Sequence, residues 1–273
     1  MSAIYLAHHG IKGMKWGVRR FQKKDGSLTP AGKIRYAVES TKVVKYNRDG
    51  SKTVPAGFVF NRVGGAAMDV NPSGALYVSY GKADAARYIK SLGPTLMGKL
   101  MGTAHYNVQH ITVKSSLRMP SDADTAIETA KLLSSNKALL TKFNESIYSA
   151  AVTGEFGKDV SSRDIEAALR DPGGKAGQKL AYGLSAVLAD PNFVSEAKTV
   201  YKHFRDKGYD VLPDLNDRLS GTSETAMIVI NPDKLEVSSV TMITKDVQRA
   251  GKEYLADYIK KNGKLKPSDL IDG

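Results

Sequence analysis

The densest group of side chains able to recognise a partner lies near the front of the chain. Lys12, Lys15, Trp16, Arg19 and Arg20 fall in the run His8-His9-Gly10-Ile11-Lys12-Gly13-Met14-Lys15-Trp16-Gly17-Val18-Arg19-Arg20. Trp16 is the single tryptophan. An aromatic anchor flanked by cations is a frequent hot-spot composition at interfaces. The three glycines beside it let backbone pass close to another surface or take positive φ. The chemistry on offer is docking onto something acidic: a nucleic acid, an acidic protein surface or a membrane surface.

Other reactive groups are sparse. The chain has no cysteine, which removes disulfides, zinc-thiolate sites and thiol nucleophiles. His8 and His9 are neighbours and point to opposite sides of an extended segment, with no third ligand near, so no metal site is expected. His105 and His110 face opposite sides of a strand-like run. His203, in a helical pattern among charged neighbours, reads as a surface residue. Asp210, Asp214, Asn216 and Asp217 have the composition of a calcium loop but lack its glycine and terminal glutamate, so 216–223 reads as a polar loop. Phosphate-loop, nucleophile-elbow and zinc-protease patterns are missing.

These groups sit on a chain of 273 residues with a formal net charge of +12. Residues 1–52 hold 12 Lys and Arg against 3 Asp and Glu, while residues 53–273 hold 28 against 25. The front segment has too few large apolar residues to offset the entropy of ordering it. It is expected to be an extended basic arm that takes shape on a partner. The N-terminus lacks the basic start and apolar core of a secretory signal, so use without export is expected. No apolar run is long enough to span a membrane.

Behind the arm, 43–54 carries two strand-like runs around Asp49-Gly50, a hairpin signal. Strands are expected at 57–63, 75–80 and 106–113, with a helix at 82–90. From 121 to 207 the apolar spacing turns helical, with a break near Asn136. Within it, Ser162-Arg163-Asp164 opens a short helix that Asp171-Pro172-Gly173-Gly174 ends, and Asp190-Pro191 opens another that Gly208 stops. Strands follow at 209–212, 226–230 and 235–242. Residues 245–262 read as a basic amphipathic helix with Tyr254, Leu255, Tyr258 and Ile259 on one face. Strands, then helices, then strands indicate an α+β fold with a mostly antiparallel sheet body and a helical middle section. The expected division is an arm at 1–52, a body at 53–244 whose helical section is 121–207, and a C-terminal helix and tail at 245–273.

From His8 to about Tyr36 the chain resembles a segment at the front of structural and minor head proteins of tailed bacteriophages, mostly of Gram-positive hosts. The likeness runs through HHGIKG-x-KWGVRR and the following DGSLTPAG. It implies a virion protein of the head or neck, made in the host cytoplasm, with no membrane partner. Its arm would dock to portal or capsid proteins or to packaged DNA through Lys12, Lys15, Trp16, Arg19 and Arg20.

The body is similar, more faintly, to the ADP-ribosyltransferase fold, in which a first strand presents Arg or His to NAD. A later strand presents Tyr or Ser and runs into a helix with a second Tyr, and a Glu near a late strand directs transfer. The resemblance places Arg62, Tyr77, Ser79 and Tyr88 at the cofactor and makes Glu224 the catalytic carboxylate. Cleaving the nicotinamide–ribose bond builds positive charge on the ribose, which a carboxylate stabilises; an Arg makes charge-assisted bonds to phosphate. The Ser-Thr-Ser strand is missing, and Thr222 stands where a Glu-x-Glu pair needs its first Glu. The first expectation is therefore a non-enzymatic virion protein without a cofactor. The alternative is a phage-carried ADP-ribosyltransferase that uses NAD to modify host targets.

Overall fold

The computed structural model describes residues 40–65, 70–91, 106–149, 159–219, 221–243 and 245–263. In chain order they form β1 (Lys45–Tyr46), β2 (Lys52–Val54), β3 (Val59–Gly64), β4 (Leu76–Val78), α1 (Lys82–Ser91), β5 (Asn107–Val113) and β6 (Leu117–Met119). The helices α2 (Asp122–Ser135), α3 (Lys137–Ser149), α4 (Ser162–Arg170), α5 (Lys175–Leu188) and α6 (Val194–Asp206) follow. The chain then makes β7 (Val211–Pro213), α7 (Leu215–Leu219), β8 (Met227–Val229), β9 (Leu235–Met242) and α8 (Lys245–Asn262). The fold is α+β, and every strand pairing among the described residues is antiparallel.

Three small sheets have the strand orders β1-β2-β6, β3-β5-β9 and β4-β8-β7. Strands from either side of the helical section thus pair with one another, so the two ends of the body are tied together. The sheet β4-β8-β7 is the middle layer, and its period-two alternation feeds two cores. Leu76, Val78, Val211, Met227 and Val229 pack on one side with Phe58, Phe60, Ile111, Val113 and Leu117 of the other strands. Ala75, Leu212, Ile228 and Ile230 face the helices, among Leu133, Phe143, Leu184, Val200, Tyr201 and Phe204. A strand buried on both faces reads as a continuous apolar run, which is why 226–230 is so clear in the sequence. A third, smaller cluster joins Val108 of β5 to Ile89 of α1 and Val247 of α8.

Capping chemistry sets the helix boundaries. Ser121 and Asp124 form a capping box at α2, and Ser161 and Asp164 form one at α4; the cap of α4 is thus Ser161, because Asp164 reaches back three residues. The expected break falls at Asn136, whose side-chain oxygen accepts from the Leu139 N–H at 2.9 Å and restarts the helix. Asp190 caps the turn Pro191–Phe193 that leads into α6. Gly208, with φ +80°, follows that helix. The expected polar loop at 216–223 is corrected in its first half: Leu215–Leu219 is helical. There the Asp214 carboxylate accepts from the Asp217 N–H at 3.2 Å and caps the turn. His203 is also not a plain surface residue. It is half-buried, with Nε2 3.0 Å from the Glu128 carboxylate, which Lys131 also reaches at 2.7 Å.

The last helix, α8, buries Val247, Gly251 and Leu255, while Tyr254, Tyr258 and Ile259 are half-buried. Gly251 permits its close approach to α1, since a Cβ there would lie 3.4 Å from Ile89 Cγ2. Among the described residues no helix is long and apolar enough to cross a membrane. A tighter approach occurs at Gly177 of α5, where an added Cβ would overlap the Pro172 carbonyl. Gly→Ala inside a helix ordinarily stabilises by about 1 kcal/mol. Gly177→Ala is expected to do the opposite and cost about 1–3 kcal/mol, read as a lower melting temperature. A raised one would contradict this contact.

Candidate functional site

The sheets holding β3 and β4 meet at one short bridge. The Asn61 N–H donates to the Ser79 carbonyl at 2.6 Å, and the Ser79 N–H returns the bond at 2.9 Å. At this junction lies a cleft of about 170 Å³. Its walls include Asn61 and Arg62 of β3, Tyr77 of β4, Ser79 just beyond it, Tyr88 of α1, and Asp214 and Asp217 at the start of α7.

Arg62, Tyr77, Ser79 and Tyr88, which the sequence reading grouped, therefore come together in space. Strand periodicity puts Arg62 beside Gln109 of β5, with its guanidinium 3.4 Å from the Gln109 side-chain oxygen. Tyr77 turns toward the helical core, and its hydroxyl donates to the Leu188 carbonyl at 2.7 Å. Tyr88 lies one turn and a half into α1, and its hydroxyl donates to the Asp217 carboxylate. Burial pushes both phenols well above the ordinary tyrosine range, and the charges of Asp214 and Asp217 add to it. Both rings therefore stay neutral donors.

Glu224 does not line the cleft. Its backbone N–H donates to Asp84 at 3.0 Å, and its carboxylate pairs with Arg87 of α1 at 2.8 Å. The Tyr258 hydroxyl of α8 approaches the same carboxylate at 3.3 Å and 3.5 Å. The cation of Arg87 also lies 5.7 Å from the Tyr258 ring centroid. Glu224 thus sits in a cation–aromatic cluster with Arg87 of α1 and Tyr258 of α8.

The carboxylates that do face the cleft are Asp214 and Asp217. Burial raises the Asp214 pKa to about 7, with the neighbouring Asp217 charge adding to the effect and Arg218 opposing it. Asp217 is raised too, by burial first and by the charge of Asp84, while the Tyr88 hydrogen bond holds it down. Two carboxyls in one buried site cannot both ionise cheaply, so such a pair retains a proton. Sequence reading passed over them as loop residues. The signal was their spacing: an acid at a helix cap and a second three positions on repeats the Ser161–Asp164 pattern. Asn61 was passed over as well, since one Asn in an apolar strand carries no motif.

The arm residues Lys12, Lys15, Trp16, Arg19 and Arg20 lie outside the described residues, as do His105 and the tail beyond 263. No group of three or more His, Asp or Glu is placed to hold a metal among the described residues. Residues 3–23 match a family of unknown function, DUF7211. No curated protein matches the chain, and no solved structure does.

The acid pair makes stability depend on pH. Asp214 has a folded pKa of about 7 against an ordinary 3.8. Across that window the folded chain keeps a proton that the unfolded chain gives up, so stability falls as pH rises, and the loss is complete above the folded value. Asp214→Asn keeps an acceptor for the α7 cap and removes the charge. Its stability relative to wild type is expected to improve by on the order of 2 kcal/mol between pH 5 and pH 8. Denaturant titrations at the two pH values check this, and an improvement toward low pH would contradict it.

Proposed function

We propose that this protein is a structural or minor head protein of a tailed-phage particle, held at the portal, capsid or packaged DNA by its basic front segment. Its body carries an ADP-ribosyltransferase-like cleft for a nicotinamide dinucleotide. The observation that carries the second half is the convergence of Arg62, Tyr77, Ser79 and Tyr88, far apart in sequence, on one cleft. The first half is supported by the charge partition, with 12 Lys and Arg against 3 Asp and Glu in residues 1–52.

The body is read as a binding module rather than a catalyst, because a fold outlives its chemistry when the site changes. Transfer needs a carboxylate beside the ribose, and Glu224 is committed to Arg87 and Tyr258 instead. The alternative, an active transferase that modifies host targets, is favoured by one feature, the two carboxylates of Asp214 and Asp217 in the cleft.

Deleting residues 1–40 is expected to leave a soluble, cooperatively melting body that no longer enters particles. Incorporation of the truncated chain at normal copy number would contradict the docking role. If DNA is the arm's partner, affinity falls steeply with added salt. Incubated with labelled NAD and host lysate, the full chain is expected to bind NAD, to lose that binding in Arg62→Ala, and to transfer no label. Label transfer abolished by Glu224→Gln would replace the binding reading with the catalytic one.

A further inference from the structure

Of the buried polar side chains with an atom that meets no partner among the described residues, Asn61 is the one that lines the cleft. It is buried, with 1% of its surface exposed, and it lines the cleft. Its backbone is used in full by the bridge to Ser79. Yet neither its side-chain oxygen nor its side-chain nitrogen meets a partner among the described residues. Buried polar groups in folded proteins are nearly always bonded, and each exception calls for an explanation. Binding supplies one here: a ligand that satisfies both atoms must carry a donor beside an acceptor. A carboxylate offers acceptors only; it would leave the Asn61 oxygen bare and would meet, as a like charge, the negative charge that the Asp214–Asp217 pair still carries with one proton bound. A guanidinium offers donors only and would leave the Asn61 nitrogen bare.

We propose that Asn61 is the residue with which the cleft reads its ligand, and that the ligand is a flat ring with adjacent hydrogen-bond donor and acceptor, as on an aromatic carboxamide or a nucleobase edge. Asp214 and Asp217 exclude the corresponding anions. Tyr88, whose hydroxyl meets Asp217, and Tyr77 are the aromatic residues of the same wall, a composition that suits a flat partner. The volume, about 170 Å³, is below the roughly 300–1,000 Å³ of sites for drug-sized ligands, so it takes one ring and leaves the rest of a larger molecule outside. This assignment rests on the reading of the cleft as the body's ligand site, and it deepens that reading by naming what is recognised.

The test titrates the full-length protein with nicotinamide, adenosine, nicotinic acid and NAD near neutral pH, following binding by calorimetry or NMR. Nicotinamide or adenosine is expected to bind at least tenfold more tightly than nicotinic acid, and whichever binds identifies the carboxamide or the base as the ring taken. Asn61→Leu is expected to lose that preference. Because it removes two unmade bonds, the free variant should melt above wild type. Asp217→Asn, which leaves Asn61 in place, is expected to admit nicotinic acid and narrow the preference, and it decides the matter if Asn61→Leu does not fold. Equal binding of nicotinic acid in the wild type, or a preference untouched by either substitution, would overturn the assignment. NAD binding that survives Asn61→Leu at full strength would overturn it and leave the proposed function standing. Failure of all four compounds to bind would remove both.

Discussion

The site depends on one buried carboxylate. Asp84, in the first turn of α1, is 1% exposed and accepts from Arg87 at 2.6 Å, the Ser223 hydroxyl at 2.8 Å and the Glu224 N–H at 3.0 Å. Thr225 adds two more bonds, from its N–H at 2.9 Å and its hydroxyl at 2.6 Å. The Thr225 oxygen in turn accepts from the N–H groups of Tyr80 and Gly81, at 2.9 Å and 2.8 Å. A charge can leave water only when it is paired and its lone pairs are bonded. Here both conditions are met by joining the start of α1 to the segment before β8, which lies about half the chain away in sequence.

Much of the site's arrangement follows from that clamp. With the start of α1 fixed, Tyr88 is held one turn further on, where its hydroxyl meets Asp217. The 223–225 segment is pinned by its backbone, which leaves the Glu224 side chain to Arg87 and Tyr258 rather than the cleft. Asp84 also adds to the negative field that raises Asp217. The acid pair is therefore held together against its own repulsion by burial, caps and a tyrosine bond. Strained protonation of this kind gathers where a protein binds or reacts. An unbonded amide at Asn61 in the same cleft points the same way.

Period and punctuation made most of the elements legible. The run 226–230 and the break at Asn136 could be read directly, because two-sided burial and an Asn cap each leave a local signature. Arg62, Tyr77, Ser79 and Tyr88 could be grouped through a resemblance, but their meeting in space needed the β3–β4 bridge, which has no sequence signal. Asp84 looked like an ordinary acid in the first turn of a helix. Apart from Arg87, its partners are 139 to 141 positions away, and no local pattern reports a contact of that span. The same holds for Glu224, whose partner Arg87 lies 137 positions away, and which a strand-based template would have turned toward the cofactor. The polar loop at 216–223 misled because charged residues suggest exposure, whereas Asp214 is buried as the cap of α7.

The most direct measurement is the unfolding free energy of Asp84→Ala beside wild type by denaturant titration. Removing the carboxylate takes the shared acceptor from the Ser223 hydroxyl, the Glu224 N–H and both donors of Thr225 and leaves Arg87 to Glu224 alone, and the account predicts a loss of about 3–5 kcal/mol. A loss below about 1 kcal/mol, the level of a solvent-exposed ion pair, would contradict the claim that this carboxylate holds the site together.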